Sequence, residues 1–166
     1  MRIDTDFKVS GKLLQGAKAN EAVVNRELTA AMHASTQMFR GLILPATPVG
    51  VSGMLRGGTA AEVSTSAGAF SIEGRVFNPS AYGLPVELGR GAGKRQPPSS
   101  ALELWVRRKL GVPDNRVKSV AFLIARKIGR QGTKAVEMFT KAFASGKGQA
   151  NAYFDRAASR IAEALS

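Results

Sequence analysis

The apolar residues of this chain change period at Pro45, and that change limits the folds open to it. Ahead of it, Leu13, Leu14, Ala17, Val24, Leu28, Ala31, Met32, Phe39, Leu42 and Ile43 recur at three- and four-residue spacing, the repeat of one face of an α-helix. Lys12, Lys18, Glu21, Arg26 and Arg40 fill positions between them. The spacing predicts one long helix over residues 11–44, weakened near its ends by Gly16 and Gly41 and stopped by Pro45. Residues 45–58 form a connector rich in proline and glycine. After it the period falls to two. Phe70, Ile72 and Val76 share one face, and Tyr82, Leu84, Val86 and Leu88 share another. Ala61 to Ser66 reads as an earlier strand, with turns at Ala67-Gly68 and at Asn78-Pro79-Ser80. Pro85 cannot donate to a ladder, so the last strand is an edge or bulged one. A sheet of about three strands needs a helix against it to be stable. The expected fold is therefore α+β: a long N-terminal helix packed on a small antiparallel sheet, followed by C-terminal helices.

Helical spacing returns after a basic, Gly- and Pro-rich loop at 90–98. Ser100-Ala101-Leu102-Glu103 reads as a capping box, leading into Leu104, Trp105, Val106 and Leu110, with Gly111 as the cap and Pro113 as the stop. Asp114 can cap the next helix, which carries Val117, Val120, Ala121, Ile124, Ala125 and Ile128 on one side and ends at Gly129 and Gly132. Thr133 can cap a helix holding Val136, Phe139 and Phe143, and Ser145-Gly146-Lys147-Gly148 should break it. A last helix carries Tyr153, Phe154, Ala157, Ala158, Ile161 and Leu165. With 166 residues the chain suits one domain with an appendage. The expected division is a single α+β domain over 1–145 and a helical extension over 146–166. Leu28, Phe39, Ile72, Val86, Val106 and Ile124 sit on apolar stripes and are the expected core.

Little in the sequence can do chemistry. There is no cysteine, which excludes disulfides, thiolate catalysis and Cys-based metal sites. The single histidine, His33, lies in a helical segment with no ligand cluster around it. The acids are scattered, and no spacing marks a carboxylate pair. Gly50, Gly53, Gly57 and Gly58 lack the spacing of a phosphate or dinucleotide loop. The run Gly89-Arg90-Gly91-Ala92-Gly93-Lys94 is followed by Pro97-Pro98, through which no helix can continue. No catalytic residue, cofactor or metal is expected. No apolar run is long enough for a membrane span, and Met1 to Phe7 has no secretory h-region; a soluble protein made in the cytosol is expected.

The charge is the strongest compositional signal. Lys and Arg number 24 against 12 Asp and Glu, a net charge of +12 with a pI near 10.8. The excess lies between Arg90 and Arg130, where Glu103 and Asp114 are the only acids. Such a segment implies a polyanionic neighbour, either nucleic acid or an acidic protein face; a solvated helix face is the plain alternative. Arg90, Lys94 and Arg95 of the loop, with Arg107 and Arg108 of the following helix, are the candidate interface residues. Gly89, Gly91 and Gly93 make the loop costly to order, so a free subunit should leave it loose.

Several short motifs follow one another in a fixed order: Thr47-Pro48-Val49, Ser52-Gly53-Met54-Leu55-Arg56, Tyr82-Gly83-Leu84-Pro85-Val86-Glu87-Leu88-Gly89, and Pro97-Pro98 ahead of Leu104-Trp105-Val106. Over about residues 11–145 this series resembles the gene-product-ten-like tail-component family of long-tailed bacteriophages, found in head–tail joining gene clusters. The chain departs from the family pattern in having Arg90 after Gly89 where a Thr is usual, in a more basic loop, and in a longer tail after Ser145. The resemblance implies a non-enzymatic virion component of the neck, acting in tail completion and head–tail connection. It implies a homo-oligomeric ring around the DNA channel, commonly a hexamer in related neck parts. The implied partners are other neck and tail proteins (head-closure, tail terminator or tail tube), with transient contact with genomic DNA in the lumen and none with a membrane. Assembly would take place in the bacterial host cytoplasm. Loops 45–58 and 89–98 would be mobile in the free subunit and order against a neighbouring ring. A rival class is a basic DNA-binding protein, nucleoid-like or regulatory, supported by the net charge alone; no helix-turn-helix spacing is evident around 114–130.

Overall fold

The computed structural model describes residues 21–65 and 72–166. The chain packs as two compact units. The first takes its described residues from Met1–Pro45, Thr59–Phe77 and Lys141–Ser166, and the second comprises Ala46–Gly58 and Asn78–Thr140. The fold is α+β, with a long N-terminal helix packed on a two-stranded antiparallel sheet and C-terminal helices after it.

In the first unit, α1 (Glu21–Ala46) keeps the apolar stripe seen in the sequence: Val24, Leu28, Ala31, Met32, Phe39 and Ile43 are all buried. Pro45 falls in its last turn. The expected start of this helix at residue 11 lies outside the described residues, as do the turn at Ala67-Gly68 and Phe70. Strands β1 (Ala60–Thr65) and β2 (Ile72–Phe77) pair in a register running from Ala60 opposite Phe77 to Thr65 opposite Ile72. Val24 and Leu28 cluster with Ile161 of the last helix, while Ile72, Phe154 and Leu165 pack around them. Phe39 stacks on Phe143 with ring centroids 5.6 Å apart. At the edge of this packing, Glu27 accepts from both Arg26 and Arg160.

Two glycines set the closeness of these elements. Gly74 of β2 is buried, and a Cβ there would meet Met32 Sδ and lie 2.7 Å from Thr36 Cγ2. Gly146 is buried inside the last helix, where a Cβ would lie 2.7 Å from the Phe39 ring and 2.9 Å from Leu42. The glycines at 146 and 148 therefore do not break the chain. The helix runs unbroken from Met138 to Leu165; α1 packs closely on Gly146 through Phe39 and Leu42, and this packing offsets its poor propensity. No element boundary falls near residue 145; residues 146–166 continue this helix and supply Ile161 and Phe154 to the first unit's core.

The second unit contains α2 (Met54–Gly57), α3 (Gly83–Leu88), α4 (Ser100–Leu110), α5 (Asp114–Gln131) and the first turn of α6 (Met138–Leu165). The expected third strand over Tyr82–Leu88 is instead the helix α3. Pro85 lies in its first turn, where a backbone N–H has no intrahelical partner and the fixed φ of proline suits a helix. Val86 is thus half-buried on a helix rather than on a sheet face. Helices α4 and α5 form a hairpin around buried Val106, Val117 and Ala121, with Leu102, Val112, Val120 and Ile124 against them. Gly111 ends α4 in the left-handed region at φ 61°, as its position in the sequence predicts. The capping box does not form: Ser100 is already the first helical residue, and no side-chain bond caps α4. Asp114 likewise is the first residue of α5 rather than its cap, and it pairs with Arg107 at 2.8 Å. Of the expected core, Leu28, Phe39 and Val106 are buried, whereas Ile72 and Ile124 are half-buried at the margins of their clusters.

The approach of α1 to β2 makes a direct check possible. Gly74→Ala should lower unfolding free energy by about 1–3 kcal/mol, the usual cost of forcing a side chain into a filled site. Urea melts of the two proteins measure this; an unchanged midpoint would show that Met32 moves aside freely.

Candidate assembly surface

Helix α3 ends with carbonyls that have no intrahelical partner. A segment far along the chain supplies them. The Val86 and Glu87 carbonyls accept from the N–H groups of Val136 and Glu137 at 2.9 and 3.1 Å. Next, Arg90 and Thr133 exchange two backbone bonds, of 3.0 and 2.9 Å. The Glu87 side chain completes the join. It is buried; one carboxylate oxygen accepts from Phe139 N–H at 2.9 Å, and the other accepts from Thr140 N–H and the Thr140 hydroxyl at 2.9 and 2.7 Å. These are the orphan donors at the start of α6. Thr133 therefore bridges to Arg90 and does not cap the helix; Glu87 takes that role from across the fold. Burial pushes the Glu87 carboxyl upward, but the bonds from Phe139, Thr140 and Met138 outweigh it and hold its pKa below the usual 4.5.

Glycine makes the join possible. Gly89 has φ 70° and ψ −173°, and Gly132 has φ 71° and ψ −167°, a region open essentially to glycine alone. A Cβ on Gly89 would lie 2.5 Å from the Thr133 carbonyl oxygen, and one on Gly132 would collide with the Arg90 carbonyl. Residues 89 and 90 of the loop at 89–98 are consequently fastened to residues 132–135, whereas residues 91–95 are exposed. Gln96 also packs on Gly129 of α5, where a Cβ would be 3.0 Å away. The glycines that raise the entropic cost of ordering also let the two backbones pair directly.

The connector at 45–58, expected to be mobile, is held as well. The Arg56 guanidinium donates twice to the Thr47 carbonyl, at 2.8 and 3.1 Å, and Thr47 is buried. Asn78 donates to the Leu55 carbonyl.

The five candidate interface residues have different fates. Arg90 is half-buried and donates to the Arg95 carbonyl at 2.6 Å, so it latches its own loop. Lys94 and Arg95 are exposed beside it. Arg107 is occupied by Asp114, whereas Arg108 is exposed. Sequence reasoning missed the apolar part of the surface. Among the described residues, every large apolar side chain that is strongly exposed, apart from Leu42, belongs to the second unit. They include Leu84 and Leu88 on α3, Leu104 and Trp105 on α4, and Phe122 and Leu123 on α5. The run Ala121-Phe122-Leu123-Ile124 held the signal, since consecutive helical residues point about 100° apart and cannot all face one core.

The charge is divided unequally as well. The second unit carries 13 Lys and Arg against 4 Asp and Glu, a net +9 of the chain's +12. On α5 the only acid is Asp114, and Arg116, Lys118, Arg126, Lys127 and Arg130 are all exposed. No group of three or more His, Cys, Asp or Glu among the described residues could hold a metal, and His33 is exposed on α1. No described helix is long and apolar enough to cross a membrane. Comparison with known proteins returns no match: no family model, curated protein or solved structure is significantly similar to the chain.

What this arrangement offers is a scaffolded surface of cations and apolar side chains. Its scaffold should be acid-sensitive. Glu87 titrates below its unfolded value, so the stability it contributes is complete above about pH 4.5 and is lost as pH falls through the folded pKa. Glu87→Gln should cost about 1.5–3 kcal/mol near neutral pH, the range for hydrogen bonds to a charged group, and should flatten the acid limb of the stability curve. Denaturant melts of both proteins across about pH 3 to 7 would test it; parallel curves would remove Glu87 from this role.

Proposed function

We propose that the chain is a structural virion protein of a tailed phage, acting in the neck at the head–tail junction as a subunit of a ring around the DNA channel. One observation carries the reading. The motif residues that resemble the tail-component family all fall in the second unit, from Thr47 to Val106, and that unit also holds nearly all the exposed large apolar side chains and most of the net charge. Contiguous exposed apolar surface on a subunit usually marks an association site. The motifs also have structural work in this chain: Arg56 ties down Thr47, and Glu87 and Gly89 build the join to residues 133–140.

A closed ring needs two unlike surfaces on each subunit that meet head to tail. The second unit's cationic, apolar surface and the near-balanced charge of the first unit are unlike in this sense. Oligomerisation would cover the apolar side chains of α3, Leu84 and Leu88, which stand one helical turn apart on an exposed row.

Sizing of the purified chain over a range of concentrations, with electron microscopy of the largest species, tests the proposal. A closed ring that appears on concentration is the expected result. In a phage carrying Leu84→Ser with Leu88→Ser, heads and tails should each accumulate but join poorly. A chain that stays monomeric at every concentration and is retained on DNA in a salt-dependent manner would instead support the DNA-binding class.

A further inference from the structure

We infer that the outer face of α5 is a docking surface for an acidic helix of a partner protein that presents apolar side chains between its carboxylates. The identity of the partner as another neck or tail protein rests on the function proposed above; the surface itself does not. Helix α5 buries Val117, Ala121 and Ala125, the first two clustered with Val106 of α4. On the opposite side, Lys118, Phe122, Arg126 and Arg130 follow at four-residue steps, and Ser119, Leu123 and Lys127 form the neighbouring row. Residues spaced in this way are neighbours on a helix surface. Phe122 is 46% exposed and Leu123 53% exposed; they lie on the two adjacent rows, one to each side of the middle of the face, with cations before and after them. None of Lys118, Arg126, Lys127 and Arg130 is in an ion pair among the described residues, and the helix's one acid, Asp114, is engaged by Arg107.

An apolar centre framed by charge is the anatomy of a protein interface, with the centre desolvated and the rim wet. The sign of the rim selects the occupant, because a face with only positive charge is complementary to carboxylates. A second copy of this chain is a poor match. Its second unit carries the same +9, and the described residues of its first unit hold 7 Lys and Arg against 6 Asp and Glu, without an acidic excess. A nucleic acid would use the cations, but phosphate contacts need no Phe-Leu pair. Stacking platforms for single strands present aromatics in series, whereas this face has one.

The test uses the full chain and two synthetic helical peptides. Both carry Glu along one face; one places two Leu between the Glu residues and the other places Ser there. Fluorescence anisotropy at about 150 mM salt, where exposed charges beyond roughly 8 Å are screened, compares them with a mixed-sequence DNA duplex. The Leu peptide should bind about tenfold or more tightly than the Ser peptide, and Phe122→Ser with Leu123→Ser should remove that difference. Both substituted positions are about half exposed, so the variant should remain folded with at most a small drop in melting temperature. Arg126→Glu with Lys127→Glu should weaken both peptides. Equal binding of the two peptides, indifference to the Phe122 and Leu123 changes, or tighter binding of the duplex than of the Leu peptide would each overturn the inference. The outcome is separable from that of the ring experiment: rings without peptide binding leave the neck function and remove this face, and peptide binding by a chain that never assembles does the reverse.

Discussion

The second unit depends on a join between two stretches of chain that lie far apart in sequence. Glu87 reaches the start of α6, and beside it Arg90 and Thr133 pair their backbones. The join does for this unit what a disulfide or a wider sheet does elsewhere. It contains no cysteine and no ladder longer than one bridge. Its strength comes from groups that are otherwise unsatisfied: the last carbonyls of α3, the first N–H groups of α6, and a buried carboxylate. Each would carry a desolvation cost if left alone, and the three together remove it. Gly89 and Gly132 are the steric condition, since a Cβ at either position would strike the opposing backbone. The path of the loop at 89–98 follows from this condition.

The parts of the fold that rest on local periodicity could be read from the sequence. The stripe of α1 and the hairpin of α4 and α5 with its Gly111 turn are cases of this kind, as are the strands β1 and β2. Residues 82–88 show where local periodicity fails to decide. Tyr82, Leu84, Val86 and Leu88 alternate, but Leu84 and Leu88 are also four apart, so the same residues satisfy both periods. Pro85 weakens a strand, but it serves equally as a first-turn residue of a helix. Gly146 misleads for another reason: its propensity says break, whereas its contact with Phe39 and Leu42 requires a helix without a side chain there.

The candidate surface was half legible. Charge is visible in a sequence because it needs no partner to be counted, and the concentration of Lys and Arg after Arg90 was evident. Which cations are free is a tertiary property. Arg90 and Arg107 are engaged within the chain, whereas Lys118, Arg126 and Lys127 are not. The exposed Phe122 and Leu123 escaped notice because their neighbours Ala121 and Ile124 belong to the core stripe, and a run of four apolar residues reads as one buried segment. Glu87 looked like part of a strand motif; its partners, Phe139 and Thr140, are 52 and 53 residues away, beyond any local pattern.

The join and the surface are coupled through the count of acids. The second unit has four carboxylates, Glu87, Glu103, Asp114 and Glu137, to set against its cations. Glu87 is withdrawn into the interior by the backbone donors of α6, and Asp114 is held by Arg107 at the α4–α5 turn. Glu87 is thus withdrawn from the outer face, whereas Asp114 stays exposed and is shared with Arg107. A neutral device for closing α3 onto α6 would leave a carboxylate free for the surface, or remove the need for one. As built, α5 carries its cations with Asp114, at its first residue, as its one acid. The positive field of that face is therefore left to solvent and counterions unless another molecule brings carboxylates to it.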